Sequence, residues 1–336
     1  VLERSILCLI GFGCSAILTG LIRRYALKSN LLDIPNSRSS HQQPTPRGGG
    51  AAFVLVFLLG LQLINLASDF VWALFGAGFL VAVVGFLDDH GHIKARWRLL
   101  AHFVAAAWGL YFLHGLPTLQ WFNYSLNLGW AGYVFAAIYL VWLLNLFNFM
   151  DGIDGIAAIE AICVCLGGVL VYVLQSDLDH QIDVLLLLAT AVAGFLCWNF
   201  PPAKIFMGDA GSGFLGIILG LFSLKAASYD AEFLWSWLIL LAVFIVDASW
   251  TLCRRFYQGE KVYLAHRSHA YQYAARKYGA HLPVSLGVMV INLCWLLPWA
   301  AMVSAHWING FLGLMVAYLP LMFLAYRFKA GEKETT

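Results

Sequence analysis

Charge is what this chain has least of. Only 11% of its 336 residues are Asp, Glu, Lys or Arg, whereas 61% are hydrophobic and the mean hydropathy is +0.78. Soluble domains carry about a quarter of their residues as charges, so a soluble fold is excluded and a polytopic membrane protein is expected. The seven cysteines (Cys8, Cys14, Cys163, Cys165, Cys197, Cys253, Cys294) lack any CxxC spacing. That absence argues against a zinc site or a disulfide framework and leaves buried structural thiols. Internal repeats, heptads and low-complexity linkers are missing too. Residues 1–336 therefore read as one integral membrane domain, and an inverted-repeat transporter is disfavoured. The apolar run at 5–22 has no small-residue cleavage site and is followed by Arg23 and Arg24, so a retained span is expected there. A formal net charge of +2 says little about partners, and no nucleic-acid partner is expected.

What is present is a series of apolar runs. A helix needs about 20 such residues to cross the hydrocarbon core. On that criterion the chain is all-α, a bundle of about eleven transmembrane helices at 4–22, 49–67, 70–87, 98–114, 129–147, 155–174, 181–198, 211–228, 232–253, 284–304 and 307–327. Of the 20 Lys and Arg residues, all but Arg4 and Lys225 lie in the tail or in loops after odd-numbered spans. The positive-inside rule makes that side cytoplasmic, with the amino terminus periplasmic and the carboxyl terminus cytoplasmic.

Four acidic clusters fall on the same side, at the ends of spans three, five, seven and nine: Asp88 with Asp89, Asp151 with Asp154, Asp209, and Asp247. Carboxylates are costly near hydrocarbon, and such a one-sided set marks a functional site. Asp88 and Asp89 repel each other and call for a cation such as Mg²⁺, or for the nearby Lys94, Arg96 and Arg98 in a charge-balanced loop. Asn145, Asn148 and Asp151 share a helix face at i, i+3, i+6, and Gly152 and Gly155 permit a tight turn before span six. Around Asp209, Lys204 and the amide groups at a helix start suit a metal-bound phosphate, although a plain helix cap would use the same residues. His266, Arg267 and His269 could grip a diphosphate. A zinc site there lacks a third ligand. Arg38, His41 and Arg47, in a Pro- and Gly-rich segment before span two, could meet an anionic lipid headgroup or serve as a positive-inside anchor. Asp247 reads as a partner for Arg254 or Arg255, and Glu160 as facing the bundle interior without an assigned role.

Together these motifs resemble the polyprenyl-phosphate N-acetylhexosamine-1-phosphate transferase family, which includes the enzymes starting O-antigen and enterobacterial common antigen synthesis and the peptidoglycan translocase. Matching elements run from Asp33 to Gln272: the Arg38, His41 and Arg47 stretch, Gly85 with Asp88 and Asp89, Asn148 to Gly155, Lys204 to Ser212, and the late histidine loop. The resemblance implies transfer of a sugar 1-phosphate from a UDP-N-acetylhexosamine to undecaprenyl phosphate, with Mg²⁺ (or Mn²⁺) and release of UMP. It also implies the bacterial inner membrane, a site facing the cytoplasm, and leaves a homodimer open. On this basis Asp209 would lead the metal ligands with Asp151, and Asp88, with Asp89 beside it, would be base or orienting group for the lipid phosphate. Asp151 and Asp154, with Asn145, Asn148 and Asn199, would line the nucleotide and metal site, Lys204 would bind substrate, and His266, Arg267 and His269 would hold sugar or diphosphate. Direct displacement is expected, without a covalent intermediate. The histidines here are separated by Arg267 and Ser268, whereas the peptidoglycan translocase has a consecutive run; this favours the subgroup that starts O-antigen or capsule chains. The competing readings are the peptidoglycan-type transferase itself, an ion-coupled transporter, whose acids would sit near mid-span, and a CDP-alcohol phosphatidyltransferase, whose Asp-Gly-x-x-Ala-Arg signature is absent.

Overall fold

The computed structural model describes residues 2–35, 40–41, 43–64, 68–91, 93–121, 124–174, 179–261 and 266–333. Each apolar run in the sequence is helical. In chain order the elements are α1 (Leu2–Lys28), strands β1 (Leu32–Asp33) and β2 (Thr45–Pro46), α2 (Gly50–Ile64), α3 (Asp69–His90), α4 (Ala95–Leu113), strands β3 (Leu119–Trp121) and β4 (Tyr124–Leu126), α5 (Gly129–Met150), α6 (Ile156–Val173), α7 (Asp179–Asn199), α8 (Asp209–Tyr229), α9 (Ala231–Leu240), α10 (Ala242–Tyr257), α11 (Ala270–Tyr278), α12 (Leu282–Ile291), α13 (Leu297–Ser304) and α14 (Gly310–Arg327). Among the described residues, eight helices are long and apolar enough to cross a membrane, taking Leu282–Ser304 as one, and the α9–α10 pair makes nine. Of the remaining two expected spans, α2 has 15 residues, and α4 opens with Arg96 and Arg98.

The expected straight span at 232–253 is instead bent by 73° between α9 and α10. Its sequence explains why. α9 carries no polar residue beyond its first turn except the buried Ser236, whereas α10 places Asp247, Thr251 and Arg255 on one face at i, i+4, i+8 and buries all three. That face is taken up by α11, whose first amides bond Asp247. Between α12 and α13 the helix widens into a π-turn at Asn292–Leu296; Pro298 has no N–H to continue the regular ladder there. Asn292 donates to Glu160 Oε2 at 2.6 Å, which gives that fully buried acid a partner across the bundle.

α8 forms the centre and is buried along almost its whole length. Small residues let its neighbours approach backbone to backbone. A Cβ on Gly50 of α2 would lie 2.6 Å from Gly211 Cα, and one on Gly216 would lie 2.5 Å from the Leu143 carbonyl of α5. Antiparallel packing around α8 gathers the carboxyl ends of α1, α3, α5 and α7 with the amino ends of α2, α4, α6 and α8. All the acidic motifs arrive at that end.

Candidate active site

The site begins at the junction of α3 and α8. Gly85 faces the first turn of α8 so closely that a Cβ there would sit 2.5 Å from Ala210 N. One turn later Asp89, 3% exposed, accepts from Asp209 N–H at 3.2 Å and Ala210 N–H at 3.4 Å. Gly208 supplies the positive φ of 79° that lets the chain pass over the Asp89 carboxylate. The next two α8 amides, of Gly211 and Ser212, bond the Gly208 carbonyl at 3.1 Å each. All four amides of the helix start are thus committed within the protein, and the expected anion site on α8 backbone is not formed. Asp89 holds α8; it does not face the cavity.

Asp88 and Asp209 are joined by Arg98 of α4. Its Nη1 donates to Asp88 Oδ2 and, at 2.9 Å, to Asp209 Oδ2. Ile93 N–H donates to the other Asp88 oxygen at 2.8 Å. Asp88 therefore orients Arg98 outside the cavity wall. Asp209 reaches the cavity, where Asn148 Nδ2 donates to its Oδ1 at 2.7 Å and to Ser212 Oγ at 3.2 Å.

This cavity has a volume of about 250 Å³ and opens at the end of the bundle. Of the residues expected from sequence, its wall includes His41, Arg47, Asn148, Asp151, Asp154, Asn199 and Asp209. Arg47 is brought there by the β1–β2 pair, which is extended by Phe206 N–H bonding the Pro46 carbonyl at 2.8 Å. Arg47 Nη2 donates to the Asp89 carbonyl, while its Nε is buried without a partner. His41 packs edge-on against Phe206, with ring centres 4.9 Å apart. Asp151, just past the end of α5, has no hydrogen-bond donor or cation against its carboxylate among the described residues. Enclosure, followed by the charges of Asp209, Asp89 and Asp154, raises its carboxyl well above the usual carboxylate range.

Asp154 is a brace. Its Oδ2 accepts from Ala203 N–H at 3.0 Å, and its Oδ1 lies 3.1 Å from His281 Nδ1. The other His281 nitrogen is 3.2 Å from the Ser40 carbonyl, so one imidazole links the loop of His41 to the loop of Asp154. The hydrogen bond to Asp154 holds His281 above the ordinary histidine value. No sequence signal identified His281, which precedes α12 and stands alone. Asn199, 2% exposed, accepts from Gly155 N–H at 3.0 Å and donates to the Ile205 carbonyl at 2.9 Å, joining the two loops from below.

Several expected residues lie elsewhere. Asn145 donates to its own helix at Val141 O, 2.7 Å away. Lys204 lies over the Trp198 ring, on the α1 side. His269, 2% exposed, is held by Asp247 Oδ1 at 3.2 Å and stacks with His266 at 4.9 Å; neither they nor Arg267 line the cavity. Asp247, expected to pair with Arg254 or Arg255, instead accepts from Ala270 and Tyr271 N–H at 2.9 and 3.0 Å, capping α11. Arg254 pairs with Glu332 and Arg255 with Glu260. Among the described residues of the histidine loop and the start of α11, Gln272 alone reaches the cavity wall. Arg38 lies outside the described residues.

Among the described residues no three His, Cys, Asp or Glu side chains converge as a ready metal cage. The donor set still suits a hard cation. Mg²⁺ is commonly held by one or two carboxylates with substrate phosphate and water completing the shell. Asp151, which no donor neutralises, and Asp209 beside it supply such a pair.

The residues 71–227 match the model of glycosyl transferase family 4. The protein named "Probable undecaprenyl-phosphate N-acetylglucosaminyl 1-phosphate transferase" of Bacillus subtilis is 27% identical over 87% of this chain and 83% of its own length. The decaprenyl-phosphate N-acetylglucosaminephosphotransferase of Mycolicibacterium smegmatis is 32% identical over 74% and 71%. The phospho-N-acetylmuramoyl-pentapeptide-transferase of Streptococcus pyogenes serotype M18 is 31% identical over 70% of each chain. With these relatives, and with Asp151, Asp154 and Asp209 brought to one cavity at one end of an apolar helix bundle, the chain belongs to glycosyl transferase family 4 as a multi-pass membrane protein.

Proposed function

We propose that the protein transfers an N-acetylhexosamine 1-phosphate from a UDP-sugar to undecaprenyl phosphate, releasing UMP, at the cytoplasmic face of the bacterial inner membrane. Initiation of an O-antigen or similar surface polysaccharide is the matching role. All eleven apolar runs, with α9–α10 and α12–α13 each counted as one, are read as spans of one transferase domain, with the amino terminus outside. The observation that carries the reading is the cavity itself: its wall sets the carboxylates of Asp151 and Asp209 with the Arg47 guanidinium and the His41 imidazole, where a lipid phosphate and a cytosolic nucleotide can both arrive.

The reaction joins two anions, so the protein has to offset charge at both. Arg47, with a buried unpaired Nε, and His41 would receive phosphate oxygens. Asp151 and Asp209 would hold Mg²⁺, which supplies charge neutralisation of the diphosphate and of the departing UMP. Asn148 fixes the Asp209 carboxylate from the α5 side, and Asp88 keeps Arg98 against its other oxygen. An oxygen of the lipid phosphate attacks the phosphorus that carries the sugar, and the bond from that phosphorus to the bridging oxygen breaks as UMP leaves. Asp154, His281 and Asn199 act at one remove, by holding the loops together.

The test is to offer a panel of UDP-N-acetylhexosamines, including the GlcNAc, FucNAc and QuiNAc types, with undecaprenyl phosphate and Mg²⁺, and to identify the lipid product by mass spectrometry. UMP and a lipid diphosphate sugar are expected in equal amounts. Asp209→Asn should abolish both while the protein keeps its melting temperature. Uptake of a solute into sealed vesicles with no UMP formed would overturn the assignment.

A further inference from the structure

Lys204 belongs to the same loop as Asp209 yet points away from the cavity, and what it meets there defines a second site. Trp198, one residue before Asn199, turns in the opposite direction. Its Nε1 donates to the Ala16 carbonyl at 2.9 Å, and its ring lies 2.9 Å from where a Cβ on Gly20 would be. The indole is thereby pinned to α1. Two cations converge on that one ring, the Arg23 guanidinium at 5.9 Å and the Lys204 ammonium at 5.8 Å from its centre. Arg23 Nε donates to the Lys204 carbonyl at 3.1 Å, which ties the α1 end to the loop and fixes the guanidinium. Neither cation has a carboxylate partner among the described residues.

Two like charges around one aromatic ring repel each other, and the ring attracts both only weakly. An anion between them would relieve the repulsion. The place also selects the kind of anion. The group stands at the end of α1 and α7, half-exposed, where tryptophan and basic residues meet the headgroup layer. The geometry points to Arg23, Lys204 and Trp198 as a site for the phosphate of an anionic glycerophospholipid, back to back with the cavity wall at Asn199 but separate from it. Arg24 and Lys28, on the same helix end and exposed, share the charge without the tryptophan. They provide an internal control for general attraction to an anionic surface.

The experiment is native mass spectrometry of the full chain released from detergent, titrated with phosphatidylglycerol or with phosphatidylcholine. The wild type should retain phosphatidylglycerol in preference. Arg23→Gln with Lys204→Gln should weaken that retention about tenfold, the scale of one to two headgroup contacts, with an unchanged melting temperature in phosphatidylcholine. Arg24→Gln with Lys28→Gln, which removes the same charge, should weaken it by much less. Equal losses in the two double variants would reduce the effect to general surface charge and overturn the site. Retention unaffected by Arg23→Gln with Lys204→Gln would overturn it as well. Displacement of the lipid by equimolar inorganic phosphate would show that a free anion, not a lipid, is the ligand, and would refute the lipid assignment.

Discussion

Gly85→Ala tests whether the α3–α8 junction sets the site. The added methyl would lie 2.5 Å from both Ala210 N and Asp209 C, atoms of backbone that no side-chain rotation can remove. Ordinary carbon contacts begin at about 3.5 Å, so the helices must part by about 1 Å. Overpacking of this kind costs about 1–3 kcal/mol, offset by the roughly 0.5–1 kcal/mol that alanine gains over glycine within a helix. Gly287→Ala is the matched control, since nothing lies within 4 Å of its Cβ position and only the gain applies. The difference in stability between the two variants should then approximate the overpacking term alone. Displacement has a second effect, because Asp88 and Asp89 ride on the helix that moves away from Asp209. A shift of about 1 Å in a reacting constellation costs about 10²-fold in rate. Both readouts come from one preparation: melting temperature in detergent, and UMP release with undecaprenyl phosphate. A Gly85→Ala protein that melts with Gly287→Ala and turns over like the wild type would refute the reasoning.

Asp154 raises His281, so the stabilisation from that pair is complete below the ordinary histidine value of about 6.5 and is lost as pH rises through the raised value. The melting temperature should fall over that interval in the wild type, and the fall should vanish in His281→Gln. Asp151 must lose its proton to hold a cation and is raised by its surroundings, so Mg²⁺ should bind more tightly as pH increases, with proton release measurable by calorimetry in buffers of different ionisation heat. Asp151→Asn should abolish that linkage. Glu160→Leu leaves the Asn292 amide buried without its 2.6 Å acceptor and should destabilise by about 1–3 kcal/mol. Glu160→Gln keeps an acceptor and should melt near the wild type; equal losses in the two would remove the assigned hydrogen bond.

Composition and the positions of the charges made the helical class and the end of the bundle bearing the site legible, because hydrocarbon burial acts on every residue of a span. Which acid faces the cavity was not legible. Asp88 and Asp89 are adjacent, yet one serves Arg98 and the other the α8 amides, a difference of one residue in helical phase against a neighbour 120 positions away. The histidine loop shows the same limit: His269 carries family resemblance, but its ring is spent on Asp247, a contact fixed by the bend between α9 and α10. Arg98, one of the basic candidates in the sequence for balancing Asp88 and Asp89, stands in α4 and pairs with Asp88 and with Asp209 from a different span, not with Asp89. His281 had no local pattern at all, since its partners are Ser40 and Asp154.

With the first four amides of α8 already bonded to Asp89 and Gly208, the skeleton at the heart of the site is closed to ligands. On the proposed function, recognition would rest with Arg47, His41, Asp151, Asn148 and Gln272, which line the cavity from loops or helix ends. Such a division makes the scaffold evolvable. On the same proposal, exchange of a few rim side chains would redirect the protein to another sugar without disturbing the seam between α3 and α8.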